Sequence, residues 1–159
     1  MTSDDPLKSM LIRHEGQIKG ERGFHFPYDD KTGARFEQGD TLIGKMTLGI
    51  GRNITDVGLS DEEAMYLLTN DIERVRCELD KSLPWWNKLG ECREAVMVSL
   101  CFNLGINKLL KFHTTLNLIE SGKYAEAADN LMTTLWAQQV GPRAVELTTM
   151  LRTGKWGEI

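Results

Sequence analysis

The chain has 159 residues, 41% hydrophobic and 26% charged, with a formal net charge of −4. That balance belongs to an ordinary globule with enough chain to bury a core, not to a disordered or disulfide-stapled protein. None of the segments 1–60, 61–110 and 111–159 is net positive, which argues against sequence-independent binding of nucleic acid. Cys77, Cys92 and Cys101 show no C-x-x-C spacing, so they suit a reducing compartment and suggest neither a disulfide framework nor a zinc knuckle. Cys101 lies in the apolar run AVMVSLCFNL and reads as a buried, inert thiol. His14, His25 and His113 are scattered; no metal or cofactor is expected. The beginning MTSDDPLK is acidic where a signal peptide is basic, and no apolar run reaches membrane-spanning length. Synthesis in the cytosol without stable membrane association is the expectation.

In chain order, Ser3, Asp4 and Asp5 before Pro6 make a helix start, with Pro6 suited to the first helical position. Leu7, Met10, Leu11 and His14 mark one face of that helix, and Gly16 ends it. Residues 20–56 are rich in glycine and aromatics and predict a small β lobe of short strands and turns. Within them, GDTLIGKMTLGIGRN (residues 39–53) comes close to a phosphate-binding loop. Met46 stands where that loop needs Ser or Thr, however, and the following MTLGIG does not start a helix. The dinucleotide fingerprint fails as well, with Ile54 at its third glycine.

Helix resumes at Ser60, where S-D-E-E places Glu63 three residues on as a capping box. The segment from Leu59 to about Leu83 reads as a long amphipathic helix, broken by Pro84-Trp85-Trp86. Residues 92–104 are apolar on nearly every face and predict a central buried helix. Shorter helices are expected at about 114–121, 124–134 and 142–152. Phe112, Trp136 and Trp156 read as packing residues, as does the Trp85-Trp86 pair. The fold class is α+β, mostly α.

Glu15 falls in the last turn of the first helix, where the helix dipole disfavours a second negative charge and so favours the protonated acid. A general acid requires that form. Asp29 and Asp30 sit in a turn composition, Thr47 begins a strand, and the two glycines of TLGIG weaken that strand unless another backbone or a ligand comes close. Taken singly, each reads as an ordinary surface or turn residue.

Their order is more specific. His14-Glu15-Gly16, then Tyr28-Asp29-Asp30, then Thr47-Leu48-Gly49-Ile50-Gly51-Arg52 resembles the phage-type lysozymes, the endolysins of glycoside hydrolase family 24. The resemblance continues through RNITDVGLSDEEA, FNLG at Phe102–Gly105, GKYAEAA at Gly122–Ala128 and WAQQVGPRA from Trp136, and covers roughly residues 7–156. It implies a lysozyme-like fold, in which an N-terminal helix and small β-rich lobe pack on a larger helical lobe. Residues 1–159 would then form one catalytic domain, with a helix at 1–19, a β lobe at 20–58 and a helical lobe at 59–159. It further implies a muramidase that cuts bacterial peptidoglycan, with Glu15 as acid and Asp30 and Thr47 assisting a water from the opposite face of the sugar. Arg143, Tyr28, Gly49, Gly51 and Asn103 are implied as supporting or cleft residues. Asp29, Glu37 and Asp40 remain alternatives to Asp30, because residues 31–46 form an insertion between the acid and the threonine. Arg52 stands where the family often has histidine, and reads either as a solvated cation or as a contact for acidic wall peptides. A monomer without cofactor is implied, reaching the wall from the host cytoplasm once a holin has opened the inner membrane. A lytic transglycosylase and a non-catalytic wall-binding relative are the rival readings.

Overall fold

The structure, a computed structural model, describes residues 6–15 and 19–156. The chain divides into two units, Met1–Ala64 and Met65–Ile159. Helix α1, Pro6–Glu15, opens the first unit. The predicted caps at Ser3–Asp5 and the stop at Gly16 lie outside the described residues. The predicted apolar stripe is present in sequence, yet α1 buries none of its residues.

The rest of the first unit is a small antiparallel sheet in the order β1-β2-β3, made of Tyr28–Asp29, Met46–Leu48 and Arg52–Asn53. Thr47 is at its centre, opposite Tyr28 on one side and Asn53 on the other. The strand β2 stands where a nucleotide loop would place its helix, which removes the nucleotide reading on backbone grounds. Residues 31–44 fold back along the outer side of β1: the Asp29 amide donates to the Ala34 carbonyl at 3.0 Å, and the Phe36 amide to that of Pro27 at 2.9 Å. Arg35 lies over the Phe26 ring, 3.6 Å from its centroid.

Helix α2, Asp61–Ser82, begins in the first unit and continues into the second. Its start is the expected capping box. The Glu63 amide donates to Ser60 Oγ at 3.2 Å, and the Ser60 amide donates to Glu63 Oε2 at 2.8 Å. Arg52, read from sequence either as a solvated cation or as a contact for wall peptides, is engaged within the fold. Its guanidinium forks onto both oxygens of Glu63 at 2.6 and 2.8 Å and its Nε donates to the Gly58 carbonyl.

The second unit is helical throughout: α3 Glu91–Leu104, α4 Ile106–Leu109, α5 His113–Glu120, α6 Tyr124–Met132, α7 Leu135–Val140 and α8 Pro142–Thr153. As expected, α3 is the central element, burying Cys92, Val96, Met97, Leu100 and Cys101. Helix α8 packs on α3, α6 and α7, and α5 packs on α6. Leu79, Leu100, Leu109, Ile119, Leu131 and Leu151 are fully enclosed, each contributing about 1.5–3 kcal/mol by burial. Cys101 is enclosed with them, and burial first, then the Glu78 carboxylate, pushes its thiol up to about 11. Polar ties join these helices: Arg93 of α3 donates to the Leu151 carbonyl of α8 at 2.8 Å while stacking on Tyr124 of α6. Trp136 is buried as predicted and donates from Nε1 to Asn103 Oδ1 at 2.8 Å. Trp86 is buried and Phe112 half-buried against the core, but Trp156 is 58% exposed, which corrects its reading as a packing residue. It lies beyond the end of α8, where no further element follows among the described residues to cover it.

Candidate active site

The first unit holds six of the residues singled out from sequence: Glu15, Tyr28, Asp30, Thr47, Gly49 and Gly51. Glu15 is the last residue of α1 and follows Arg13 and His14 in that turn. Its neighbour is the turn between β2 and β3. A Cβ built on Gly51 would come within 2.9 Å of both Cβ and Oε2 of Glu15, so the carboxylate side chain lies against a backbone that has no side chain to displace it. Gly49 and Gly51 both have positive φ, 67° and 66°, the left-handed region that suits glycine. Nothing lies within 4 Å of a Cβ on Gly49. The close approach expected for both glycines is therefore made by one of them, and turn geometry accounts for the other.

Thr47 is buried, 4% exposed, and its hydroxyl donates to the Lys45 carbonyl at a long 3.4 Å. Tyr28 is also buried and fills the strand position opposite it.

The two adjacent aspartates are in different chemical states of engagement. Asp29 is buried, and its carboxylate accepts the amides of Lys31, Thr32, Ile43 and Gly44 at 2.6–3.3 Å. Those bonds, led by Gly44, hold its carboxyl below the usual aspartate range against the opposing effect of burial. Asp30 is exposed, and its Oδ1 accepts the Lys45 amide at 2.7 Å. Glu37 and Asp40 are occupied within the insertion's own turn: the Glu37 amide donates to Asp40 Oδ2 at 2.8 Å, and the Glu37 carboxylate pairs with Arg35 at 3.6 Å.

Arg143 and Asn103 belong to the second unit. Both line a groove of about 780 Å³ there, together with Trp86, Phe102 and Trp156. Arg143 is exposed at the second position of α8, while Asn103 already serves the Trp136 indole. A smaller groove of about 350 Å³ is lined by Phe112, His113, Thr115 and Asn130. In it the buried Thr115 hydroxyl donates to Asn130 Oδ1 at 2.7 Å. Neither Thr115 nor Asn130 was found by sequence reasoning, since a Thr and an Asn fifteen positions apart give no local signal. The full engagement of Asp29 was half visible: the turn composition signals bonds to Lys31 and Thr32, but those to Ile43 and Gly44 close over fourteen and fifteen residues. Among the described residues no three His, Cys, Asp or Glu side chains gather as a metal site.

In the first unit an acidic side chain at a helix end is seated on the glycine turn that follows the Thr47 strand, and Asp30, just past β1, has an exposed carboxylate. Comparison with known proteins gives the family. A family model described as phage lysozyme matches residues 30–152, and the chain belongs to that family. The match begins at Asp30, so Glu15 lies N-terminal to it. The chain is 27% identical to probable T4-type lysozyme 1 of Dictyostelium discoideum over 160 residues, covering 93% of this chain and 94% of that protein. It is 32% identical to probable T4-type lysozyme 2 of the same organism over 100 residues, with 62% of this chain and 59% of the relative covered. The pre-baseplate central spike protein Gp5 of Enterobacteria phage T4 is 27% identical over 110 residues, 66% of this chain but 19% of that longer protein.

Proposed function

We propose that the chain is an endolysin: an N-acetylmuramidase that hydrolyses the β-1,4 bond between N-acetylmuramic acid and N-acetylglucosamine in bacterial peptidoglycan. Glu15 protonates the glycosidic oxygen. Asp30 takes a proton from the attacking water, and the Thr47 hydroxyl orients that water. The observation that carries this reading is the packing of Glu15 on Gly51, which seats the acid against the turn that leaves the Thr47 strand. Asp30 is preferred over Asp29 because it is exposed and accepts one amide among the described residues, and over Glu37 and Asp40 by its spacing from Tyr28, as the family resemblance implies. Asp29 is saturated by backbone donors, and Glu37 and Asp40 are tied into their own turn. Arg143, in the second unit, is kept as a supporting residue on the family resemblance. The same resemblance supplies the setting: a monomer made in the host cytoplasm, acting in the periplasm or wall once a holin has opened the inner membrane, for host-cell lysis.

The test is mass spectrometry of products from purified peptidoglycan with wild type, Glu15→Gln and Asp30→Asn. Hydrated reducing ends from wild type and at least about a hundredfold less from each variant are expected, the scale of a lost acid or base. Anhydro ends, lighter by one water, would move the chain to the lytic transglycosylases and remove the roles given to Asp30 and Thr47. Wall binding with no cleavage by wild type would leave a binding protein that has lost turnover.

A further inference from the structure

The carboxylate of Asp29 joins two pieces of chain that are distant in sequence. On one side it accepts the amides of Lys31 and Thr32, where the insertion leaves β1. On the other it accepts those of Ile43 and Gly44, where the insertion returns. The next amide along, that of Lys45, is the one that donates to Asp30 Oδ1 at 2.7 Å, while the Asp30 amide donates back to the Lys45 carbonyl at 3.0 Å. The returning stem is thus pinned by one aspartate and grips the other. Gly44 sits in the crotch between them. A Cβ there would overlap Asp30 Oδ1 and come within 2.7 Å of Lys31 Cβ and 2.8 Å of Asp29 Oδ1. Gly44 is not among the positive-φ glycines, so its backbone would suit alanine and the missing side chain matters for space alone.

We propose that Asp29 and Gly44 are positioning residues for the reaction: together they close the loop of residues 31–44 within the insertion so that the Lys45 amide fixes the carboxylate of Asp30. The inference rests on the reading of Asp30 as the second carboxylate. Residues 31–44 then act as a brace for the site, because their closing bonds and the bond that orients Asp30 are consecutive amides of one stem. A displacement of the base by even one ångström costs on the order of a hundredfold in rate, whereas sugar binding elsewhere is untouched.

Asp29→Ala, Asp29→Asn and Gly44→Ala are compared with Asp30→Asn, by steady-state kinetics on soluble glycan and by amide hydrogen exchange. In Asp29→Ala and Gly44→Ala, kcat is expected to fall by about 30- to 100-fold with KM within about threefold of wild type. Asp29→Asn keeps one acceptor oxygen and is expected to lie between wild type and Asp29→Ala. Exchange at the Lys45 amide is expected to rise about tenfold or more while amides of α3 keep their protection, which separates local release from loss of the fold. If Asp29→Ala does not fold, Asp29→Asn and Gly44→Ala carry the same two readouts. Wild-type kcat in the Asp29 and Gly44 variants, or unchanged Lys45 exchange, overturns the positioning role even if Asp30→Asn is inactive. Full activity of Asp30→Asn overturns instead the reading on which the inference rests.

Discussion

Gly49 and Gly51 share nearly the same positive φ but differ in what stands beside them, and that difference isolates one contact. Alanine at either position incurs the left-handed penalty of about 1–2 kcal/mol. At Gly51 it also meets Glu15 Cβ and Oε2 at 2.9 Å, and one of the two must move. Gly51→Ala is therefore expected to lose at least as much stability as Gly49→Ala in urea unfolding. Gly51→Ala alone should lose kcat, by about tenfold or more for a displaced acid, while Gly49→Ala keeps it. Equal kcat in the two variants would show that Glu15 gains nothing from its seat on Gly51.

At the scale of elements, the start of α2 is held by a closed set of bonds in which Glu63 is the common member, taking the Ser60 amide and the Arg52 fork. Removing the cap in Ser60→Ala is expected to cost about 1 kcal/mol. Because Arg52 holds the carboxylate of the residue whose amide Ser60 caps, Arg52→Ala and Ser60→Ala should not be additive. The sign of the pH dependence follows from Glu63, whose carboxyl is held below its usual range first by the Ser60 amide, with burial opposing and Arg52 assisting. A depressed carboxyl contributes stability that is complete above the ordinary glutamate range, about 4.3, and is lost as pH falls through the folded value. The gap between wild type and Glu63→Gln, which removes the carboxylate itself, should thus narrow in acid when read from urea midpoints; a gap that widens contradicts the assignment. This cap was legible in sequence because its members are three residues apart. The role of Arg52 was not, since its partner lies eleven residues away across a turn. Helix α7 was missed although Thr134 caps it, with its Oγ accepting the Ala137 amide at 3.3 Å, because a six-residue helix carries too few apolar positions to show a period.

For the molecule as a whole, the apolar run at 92–104 revealed the core, because a helix buried on most faces has no polar stripe. The ordered polar set revealed the family, because few folds need an acid, a turn aspartate and a strand threonine in that succession. The insertion was legible only as extra length: its clamp depends on long-range amides that no local pattern encodes. Charge, by contrast, is fully given by composition, and it predicts how the chain meets its proposed substrate. At −4, with no net positive segment, the protein lacks the cationic excess that draws a catalyst to an anionic wall. Its long-range interaction with such a wall is repulsive, and salt weakens it as the Debye length falls from roughly 30 Å at 0.01 M to about 8 Å at 0.15 M. On the proposed reading, kcat/KM on purified sacculi is expected to hold or rise, by up to about threefold, across that range. A steep fall with salt would mean that a local cluster of basic side chains governs encounter despite the net charge. Charge reversal of the arginines and lysines one at a time would then locate it.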